Sequence, residues 1–311
     1  MTEADDEQVE DPNCVAGRLV GALTRGGRLI DEGGFTLDPS KAREKLRAYQ
    51  LVNAHAYVLL MVEAAWIAGQ AAINISCGPT TIAEFVGLSL TRSELENVFT
   101  SVFLDTSELT GATLAASRIQ QMLGIAANAA LSLAPTRIEI ENVDGQGQRN
   151  RMSVEADGSF ACVAIGEGTR GRTRFAFHGA GQAAREAQEV GLIRERCRYA
   201  SFTVNLYGNQ VSAGPRQALL GLRTERVRLD GGRIVGLAGI RSELEPATLL
   251  LVTRGVLAES VPIEGGEPGL LAVVDVDLRK DLSQQGVMRG EGFDEVMRGV
   301  MRANRSLSPR R

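Results

Sequence analysis

The sequence predicts a mixed α/β protein, of the α+β kind, that is divided into two domains. A run of apolar residues from Ala56 to Ala68 has the length and composition of a buried helix. Segments that alternate apolar and polar residues, such as Thr136–Asn142, follow it and are typical of half-buried strands. The chain has 311 residues, which is enough for two domains of ordinary size.

The composition is that of a folded protein without a strong electrostatic preference. Apolar residues make up 44% and charged residues 23% of the chain, and the net charge of -4 favours neither nucleic acid nor anionic membranes. The acidic N-terminus does not resemble a signal peptide. The cysteines have no zinc or disulfide spacing, which favours a reducing compartment and predicts a cytoplasmic location. They are Cys14, Cys77, Cys162 and Cys197.

Glu63 is the only polar residue between Ala56 and Ala68. A membrane span is disfavoured, because this carboxylate lies at the centre of the run and Gln70 and Asn74 follow it. The small residues after Glu63 imply the close approach of a sheet or a ligand. A buried carboxylate needs a partner, so Glu63 either forms a structural pair or faces a cavity in which it has a chemical role.

Local signals predict the elements on either side of this helix. Residues 1–13 read as a disordered acidic tail, and helices are expected at 15–23 and 40–51. Thr91 and Glu94 have the spacing of a capping box. A helix is expected over Ala115–Leu133, broken at Gly124. Pro79–Phe85 is expected to return from the strand at Ile73–Ser76 as a hairpin, and Glu225–Leu237 is expected to form another hairpin. Further strands are expected at Thr136–Asn142, Met152–Ile165, Arg172–Phe177 and Phe202–Leu206, and Leu249–Val261 and Leu270–Val276 are rich in strand signals.

The glycine-containing segment Gly179–Gln182 is the predicted domain boundary. It divides the chain into a first domain at 14–180 and a second at 181–303, with a final helix over Asp294–Arg302. Residues 304–311 form a basic tail that is expected to be solvated. His55 and His178 are far apart in the sequence, and each is expected to be structural.

Three segments occur in an order that resembles a known family. A helix with the lone Glu63 precedes a strand, the segment FVGLSL begins at Phe85, and LGIAANAALSLAPTRIEIE begins at Leu123. This order resembles the Bergerat ATP-binding fold of the GHKL superfamily, which includes gyrase, the ninety-kilodalton heat-shock chaperone, sensor histidine kinases and mismatch-repair ATPases. The resemblance implies a Bergerat-type α/β sandwich followed by a smaller, ribosomal-S5-like α/β domain.

The resemblance assigns Glu63 as the general base that activates the attacking water. The family has a magnesium-binding Asn four residues later, where this chain has Ile67, which cannot bind a metal. A later Asp of the same motif corresponds to Gln70. The resemblance therefore implies ATP as the cofactor, makes magnesium doubtful and predicts no metal site.

The nucleotide-binding positions are only partly kept. The Asp that binds adenine falls on Phe85, or on Glu84 if the register shifts by one, and the following glycines fall on Gly87 and Ser89. In the phosphate-binding motif the resemblance assigns Gly124 and Ala126 at the expected helix N-terminus. The resemblance also assigns Thr173 to the nucleotide site.

The second half of the chain resembles the middle domain of the chaperone. The segment Val273–Gln284 resembles a loop that, in the family, sends a basic residue to the γ-phosphate. The matching position is Gln284, and Arg279 or Lys280 are the candidates to replace it.

The residues leave two functions open. The altered ligand positions favour a chaperone-like protein that does not hydrolyse ATP and acts as a scaffold or nucleotide sensor for an unidentified protein partner or client. The alternative is an active ATPase that uses Glu63. An unrelated α/β enzyme has no support from a Ser-His-Asp, Cys-His or Walker arrangement.

Overall fold

The computed structural model describes residues 53–102, 109–179, 183–242, 244–281 and 286–308, all of which belong to one compact unit, Ala42–Arg311. The predicted α+β class is confirmed: helices pack on two mixed sheets. The predicted tail at 1–13, the helices predicted at 15–23 and 40–51, and Gln284 lie outside the described residues.

Six α-helices and thirteen strands make up the described part of the chain. The helices are α1 (Tyr57–Ile67), α2 (Arg92–Glu96), α3 (Val98–Ser101), α4 (Gly111–Leu131), α5 (Ala183–Arg196) and α6 (Glu291–Leu307). The strands are β1 (Ala72–Ser76), β2 (Thr80–Val86), β3 (Arg137–Val143), β4 (Gln148–Glu155), β5 (Phe160–Glu167), β6 (Arg172–His178), β7 (Thr203–Leu206), β8 (Asn209–Gln210), β9 (Thr224–Arg228), β10 (Ile234–Ile240), β11 (Thr248–Thr253), β12 (Val256–Pro262) and β13 (Leu270–Asp275).

The first sheet has eight strands in the order β5-β4-β3-β6-β2-β1-β7-β8. All neighbouring strands are antiparallel except β1 and β7, which are parallel. Helices α1 and α4 pack against each other and against one face of this sheet. Every residue of α1 from Tyr57 to Ala65 is buried, as expected for a helix that is apolar all round.

The second sheet has five strands in the order β12-β11-β13-β10-β9, and β11 and β13 are its parallel pair. Val296 and Val300 of α6 are buried in the core on one face of this sheet. On its other face, the 3-10 turn Pro215–Leu219 packs Leu219 against Val252 and Val273. The two faces therefore have separate apolar cores.

Several predicted elements are confirmed. The buried helix is α1, β1 and β2 form the predicted hairpin, and the capping box is present, with Glu94 N donating to Thr91 Oγ1 at 3.2 Å and Thr91 N donating to Glu94 Oε2 at 2.7 Å. The predicted break at Gly124 is wrong, because α4 continues through it to Leu131.

The two sheets do not divide the chain at the predicted boundary. Helix α5 and strands β7 and β8 come after residue 180, yet β7 and β8 belong to the first sheet. The change from one sheet to the other falls between Gln210 and Thr224. The division at residue 180 stays a prediction.

Candidate functional site

Glu63 lies in the buried part of α1, and both of its carboxylate oxygens are paired. Lys280 Nζ donates to Glu63 Oε1 at 2.6 Å, and Arg254 Nη1 donates to Glu63 Oε2 at 3.3 Å. The Glu63 side chain is 1% exposed and the Lys280 side chain 2% exposed. Of the two interpretations left open by the sequence, the geometry matches the structural pair.

The ionic contacts extend beyond Glu63. Arg254 Nε donates to Asp277 Oδ1 at 2.7 Å, and Arg118 Nη1 of α4 donates to Asp277 Oδ2 at 2.9 Å. We call these five residues the Glu63 network. The network joins helices α1 and α4, which pack on the first sheet, to the β11–β12 turn and the loop after β13, which belong to the second sheet. Arg118 is part of the network through Asp277 and does not contact Glu63.

A tight turn between β11 and β12 positions Arg254. Arg254 and Gly255 both have positive φ, at 53° and 79°, as in the two-residue turns that fit hairpin twist. A non-glycine residue in this conformation is strained by about 1 kcal/mol. Asp275 fixes the turn, because its carboxylate accepts from the backbone N–H of Gly255 at 3.2 Å and of Ser201 at 2.9 Å. The turn thereby presents the guanidinium to Glu63.

Glu84 and Phe85 lie on opposite faces of β2, as strand alternation requires. Phe85 is buried in the core beside the helices. Glu84 is on the other face, where it pairs with Arg172 at 3.0 Å and with Arg174 at 3.4 Å. The structure therefore does not bring Glu84 together with Glu63, and Phe85 fills core volume at the position to which the resemblance assigns the adenine-binding Asp.

Thr173 is opposite Phe85 in the β2–β6 pair, and its role in the structure is to hold a loop. Asn142 of β3 donates to Thr173 Oγ1 and to the Leu88 carbonyl, each at 2.8 Å, and accepts from Leu90 N–H at 2.7 Å. This buried amide ties the segment after β2 to the sheet. The sequence analysis missed Asn142, although a polar residue at an inward position of an apolar strand was a signal.

Gly87 has a φ of 140°, and the space that a side chain would take at this position is already filled. A side chain at this position would meet the Gln70 amide, and its backbone N–H donates to Gly171 O at 2.9 Å. Gln70 in turn donates from Nε2 to Ala68 O at 3.1 Å. Ser89 is exposed.

Gly124 and Ala126 are buried in the middle of α4 rather than at a helix N-terminus. A Cβ at Gly124 would fall on the Val98 carbonyl oxygen of α3 and lie 2.8 Å from Val102 Cγ2. The glycine therefore permits close packing of α3 against α4. The resemblance placed a phosphate-binding N-terminus here, and the structure places a helix interior.

A second buried polar cluster lies beneath β2. Tyr57 Oη donates to Glu189 Oε1 at 2.8 Å, Thr81 Oγ1 donates to Glu189 Oε2 at 2.7 Å, and Arg185 Nη1 donates to Glu189 Oε1 at 2.7 Å. Burial, and then the charge of Glu189, raises the pKa of Tyr57 well above its ordinary value. This cluster fastens α5 to α1 and the first sheet, and the sequence analysis did not detect it.

The two histidines make different contacts. His178 Nε2 lies 3.0 Å from Glu139 Oε2, and its Nδ1 lies 3.4 Å from Thr80 Oγ1. His55 is partly buried, and burial lowers its pKa below the ordinary value. Among the described residues, no group of three or more His, Cys, Asp and Glu side chains is arranged to hold a metal ion.

Comparison of the chain with models of known protein families and with curated protein sequences finds no match. Within the described ranges, no helix is long and apolar enough to cross a membrane. The candidate site therefore has to be interpreted from its own contacts. Those contacts are the paired charges of the Glu63 network, the packing of Gly124 against α3 and the burial of Phe85 in the core.

Proposed function

We propose that this chain is a non-hydrolysing scaffold of the GHKL type, which keeps a Bergerat-like arrangement of elements without ATPase chemistry. In this proposal the Glu63 network joins the two sheets, and the protein acts by presenting a fixed two-sheet surface to a protein partner or client. We place it in the cytoplasm, since Cys77, Cys162 and Cys197 are free thiols.

The pairing of Glu63 is the observation that carries this proposal. A general base needs a free lone pair within hydrogen-bond reach of the water that it deprotonates. Here the two oxygens accept from Lys280 and Arg254, and the side chain is 1% exposed. A carboxylate that is paired through both oxygens and 1% exposed joins the two sheets and is closed to bulk water.

The other assigned positions support the same proposal. Ile67 offers no metal ligand and packs against the first core, and Phe85 is buried there. Gly124 lies against the Val98 carbonyl instead of leaving a cradle for phosphate. At these positions the structure has packed protein atoms, which supports a chain that lacks the metal and phosphate contacts of the family.

One observation favours the alternative, an ATP-binding protein that uses Glu63. The family resemblance predicts that a loop of the second domain sends a basic residue to the γ-phosphate. Lys280 comes from the loop after β13 and contacts Glu63 at 2.6 Å. In this alternative, the γ-phosphate of ATP would take Lys280 away from Glu63 and free the carboxylate.

Calorimetric titration with ATP, with and without magnesium, distinguishes the two functions. The scaffold proposal predicts no saturable heat at millimolar ATP for a sample whose circular dichroism and thermal transition show that it is folded. Micromolar binding that magnesium strengthens would contradict the proposal and support the alternative. The matched variant is Lys280→Met, which would weaken ATP binding under the alternative and leave the absence of binding unchanged under the proposal.

A further inference from the structure

A cavity of about 590 Å³ lies between the 3-10 turn Pro215–Leu219 and strands β9 and β10. A second cavity of about 370 Å³ adjoins it, since Arg216, Arg226 and Leu237 line both. These are the dimensions of small-molecule sites, which usually have 300 to 1,000 Å³. We call the two cavities together the β9–β10 groove.

The larger cavity of the β9–β10 groove has mostly apolar walls. Pro215, Val235 and Leu237 line it, and two large aliphatic side chains remain open to solvent, Ile234 with 46% and Leu220 with 68% of its surface exposed. Apolar surface beside a concave site is what a ligand with a hydrocarbon body would cover.

Two arginines give the groove an excess of positive charge. Arg216 and Arg226 are exposed, and neither makes an ion pair or a side-chain hydrogen bond with any residue of the described ranges. The one carboxylate of the groove is Asp275, whose oxygens accept from the backbone N–H groups of Ser201 and Gly255. The two guanidinium groups remain available to a ligand, and guanidinium groups bind carboxylate and phosphate oxygens in a bidentate manner.

The geometry points to the β9–β10 groove as a binding site for a small organic anion, with a carboxylate or phosphate monoester head held by Arg216 and Arg226 and an aliphatic body held by the apolar wall. The anionic head and the apolar body of the ligand each contribute to its affinity for the groove. This site does not depend on the proposed function, because none of the residues of the Glu63 network lines it.

Calorimetric titration with octanoate, octyl phosphate, octanol and inorganic phosphate tests the site. We expect saturable one-to-one binding of at least one of the two amphiphilic anions, and much weaker binding of octanol and of inorganic phosphate. The tighter of octanoate and octyl phosphate identifies the head group. Absence of saturable binding of both anions would overturn the inference, as would inorganic phosphate binding as tightly as octyl phosphate.

Variants separate the head from the body. Arg216→Ala and Arg226→Ala should each weaken binding about tenfold or more, the usual loss of a charged hydrogen bond. Ala213 lines the groove and is exposed, so Ala213→Trp should fill the groove and weaken the binding of both anions without removing a charge. Arg233→Ala is the matched control, since Arg233 is exposed beside Ile234 and lines neither cavity.

Arg233→Ala should leave the affinity within twofold of the unmodified protein. An equal loss of affinity in Arg233→Ala and Arg226→Ala would mean that the anions bind through the general surface charge, and the inference would be wrong. Unchanged affinity in Ala213→Trp would likewise contradict a ligand body in the groove. Thermal unfolding of each variant verifies that it is folded.

Discussion

Lys280 Nζ lies 2.6 Å from Glu63 Oε1, although the two residues are 217 positions apart in the chain. Both side chains are buried, and Arg254 approaches the second carboxylate oxygen from a different turn. Burial makes the contact expensive to break, because a charge left without its partner in the interior has lost its water. The pair therefore joins α1 to the second sheet in a way that single substitutions can test.

Replacement of Lys280 by Met should lower the free energy of unfolding by about 3 kcal/mol, because Glu63 is left buried with Arg254 alone. The double variant Glu63→Leu, Lys280→Met should lose less than the sum of the single variants, since two apolar side chains replace the pair. Urea unfolding of the single and double variants measures both effects.

The control for this cycle is Arg241→Met. Arg241 pairs with Glu245 at 3.4 Å, but the two side chains are 47% and 49% exposed. An exposed pair contributes about 1 kcal/mol or less. If Lys280→Met destabilised the protein no more than Arg241→Met, the Glu63 network would not hold the two sheets together.

Gly124→Ala should lower the free energy of unfolding by about 1 to 3 kcal/mol, the usual cost of overpacking a core. The added Cβ would fall on the Val98 carbonyl, which belongs to the backbone and cannot rotate away. Gly191 of α5 is the matched control, because it is exposed and a Cβ there meets nothing within 4 Å.

Gly191→Ala should raise the stability by about 0.5 to 1 kcal/mol, the helix preference of Ala over Gly. The midpoints of thermal unfolding of Gly124→Ala and Gly191→Ala, measured at one pH and compared with the unmodified protein, test both predictions. If the two alanines changed the midpoint in the same direction, Gly124 would not be a packing glycine, and a ligand-binding role would regain support.

Local signals explain which parts of the fold could be predicted. The capping box of Thr91 and Glu94, the β1–β2 hairpin and helix α1 follow from residues close together in the chain, and all three are present. The need of Glu63 for a partner also followed from the sequence alone, because a carboxylate in an apolar helix has to be paired.

The identity of that partner did not follow from the sequence. Arg118 pairs with Asp277 and not with Glu63, while Lys280 and Arg254 reach Glu63 from loops far along the chain. Strand periodicity placed Glu84 and Phe85 on opposite faces of β2 without indicating which face meets the helices. Such choices depend on tertiary packing, which local patterns do not contain.

The thiols of Cys77 and Cys197 should react about a thousandfold more slowly in the folded protein than in the unfolded chain, because only the thiolate is nucleophilic. Burial, and then nearby glutamate charge, raises the pKa of each from 9.0 to about 12. Burial also raises the pKa of Cys162. Peptide mass spectrometry after N-ethylmaleimide labelling at pH 8, in buffer and in urea, measures each site.

Labelling of Cys197 in buffer at the rate found in urea would contradict this prediction. Cys197 is buried with an exposed fraction of 0%, and its pKa responds to the Glu63 charge as well as to burial. The labelling rate of Cys197 in Lys280→Met therefore measures independently whether the Glu63 network keeps reagent out of the core around this thiol. We expect faster labelling of Cys197 in that variant, with Cys162 unchanged, because loss of the network opens the structure around the thiol. Removal of the Lys280 charge alone would raise the pKa of Cys197 and slow the reaction, so faster labelling can only report opening.

Glu141 should make the stability depend on pH in the acidic range. Burial alone would raise the pKa of Glu141, but hydrogen bonds and charge from Arg149 and Arg151 outweigh it and hold the pKa below its ordinary value of 4.5. A carboxylate with a lowered folded-state pKa stabilises the protein above its unfolded-state pKa, and this stabilisation is lost as the pH falls through the folded-state value.

Glu141→Gln should therefore lower the free energy of unfolding by about 2 kcal/mol at pH 7, the contribution of hydrogen bonds to a charged group. The difference from the unmodified protein should decrease as the pH falls below 4.5, because the unmodified carboxyl becomes neutral too. Urea unfolding at a series of pH values from 7 to 3 gives this curve, and Glu155→Gln, at the exposed end of β4, controls for removal of one surface charge. A difference that stayed constant or grew toward acidic pH would show that the arginines do not hold Glu141 in its charged form.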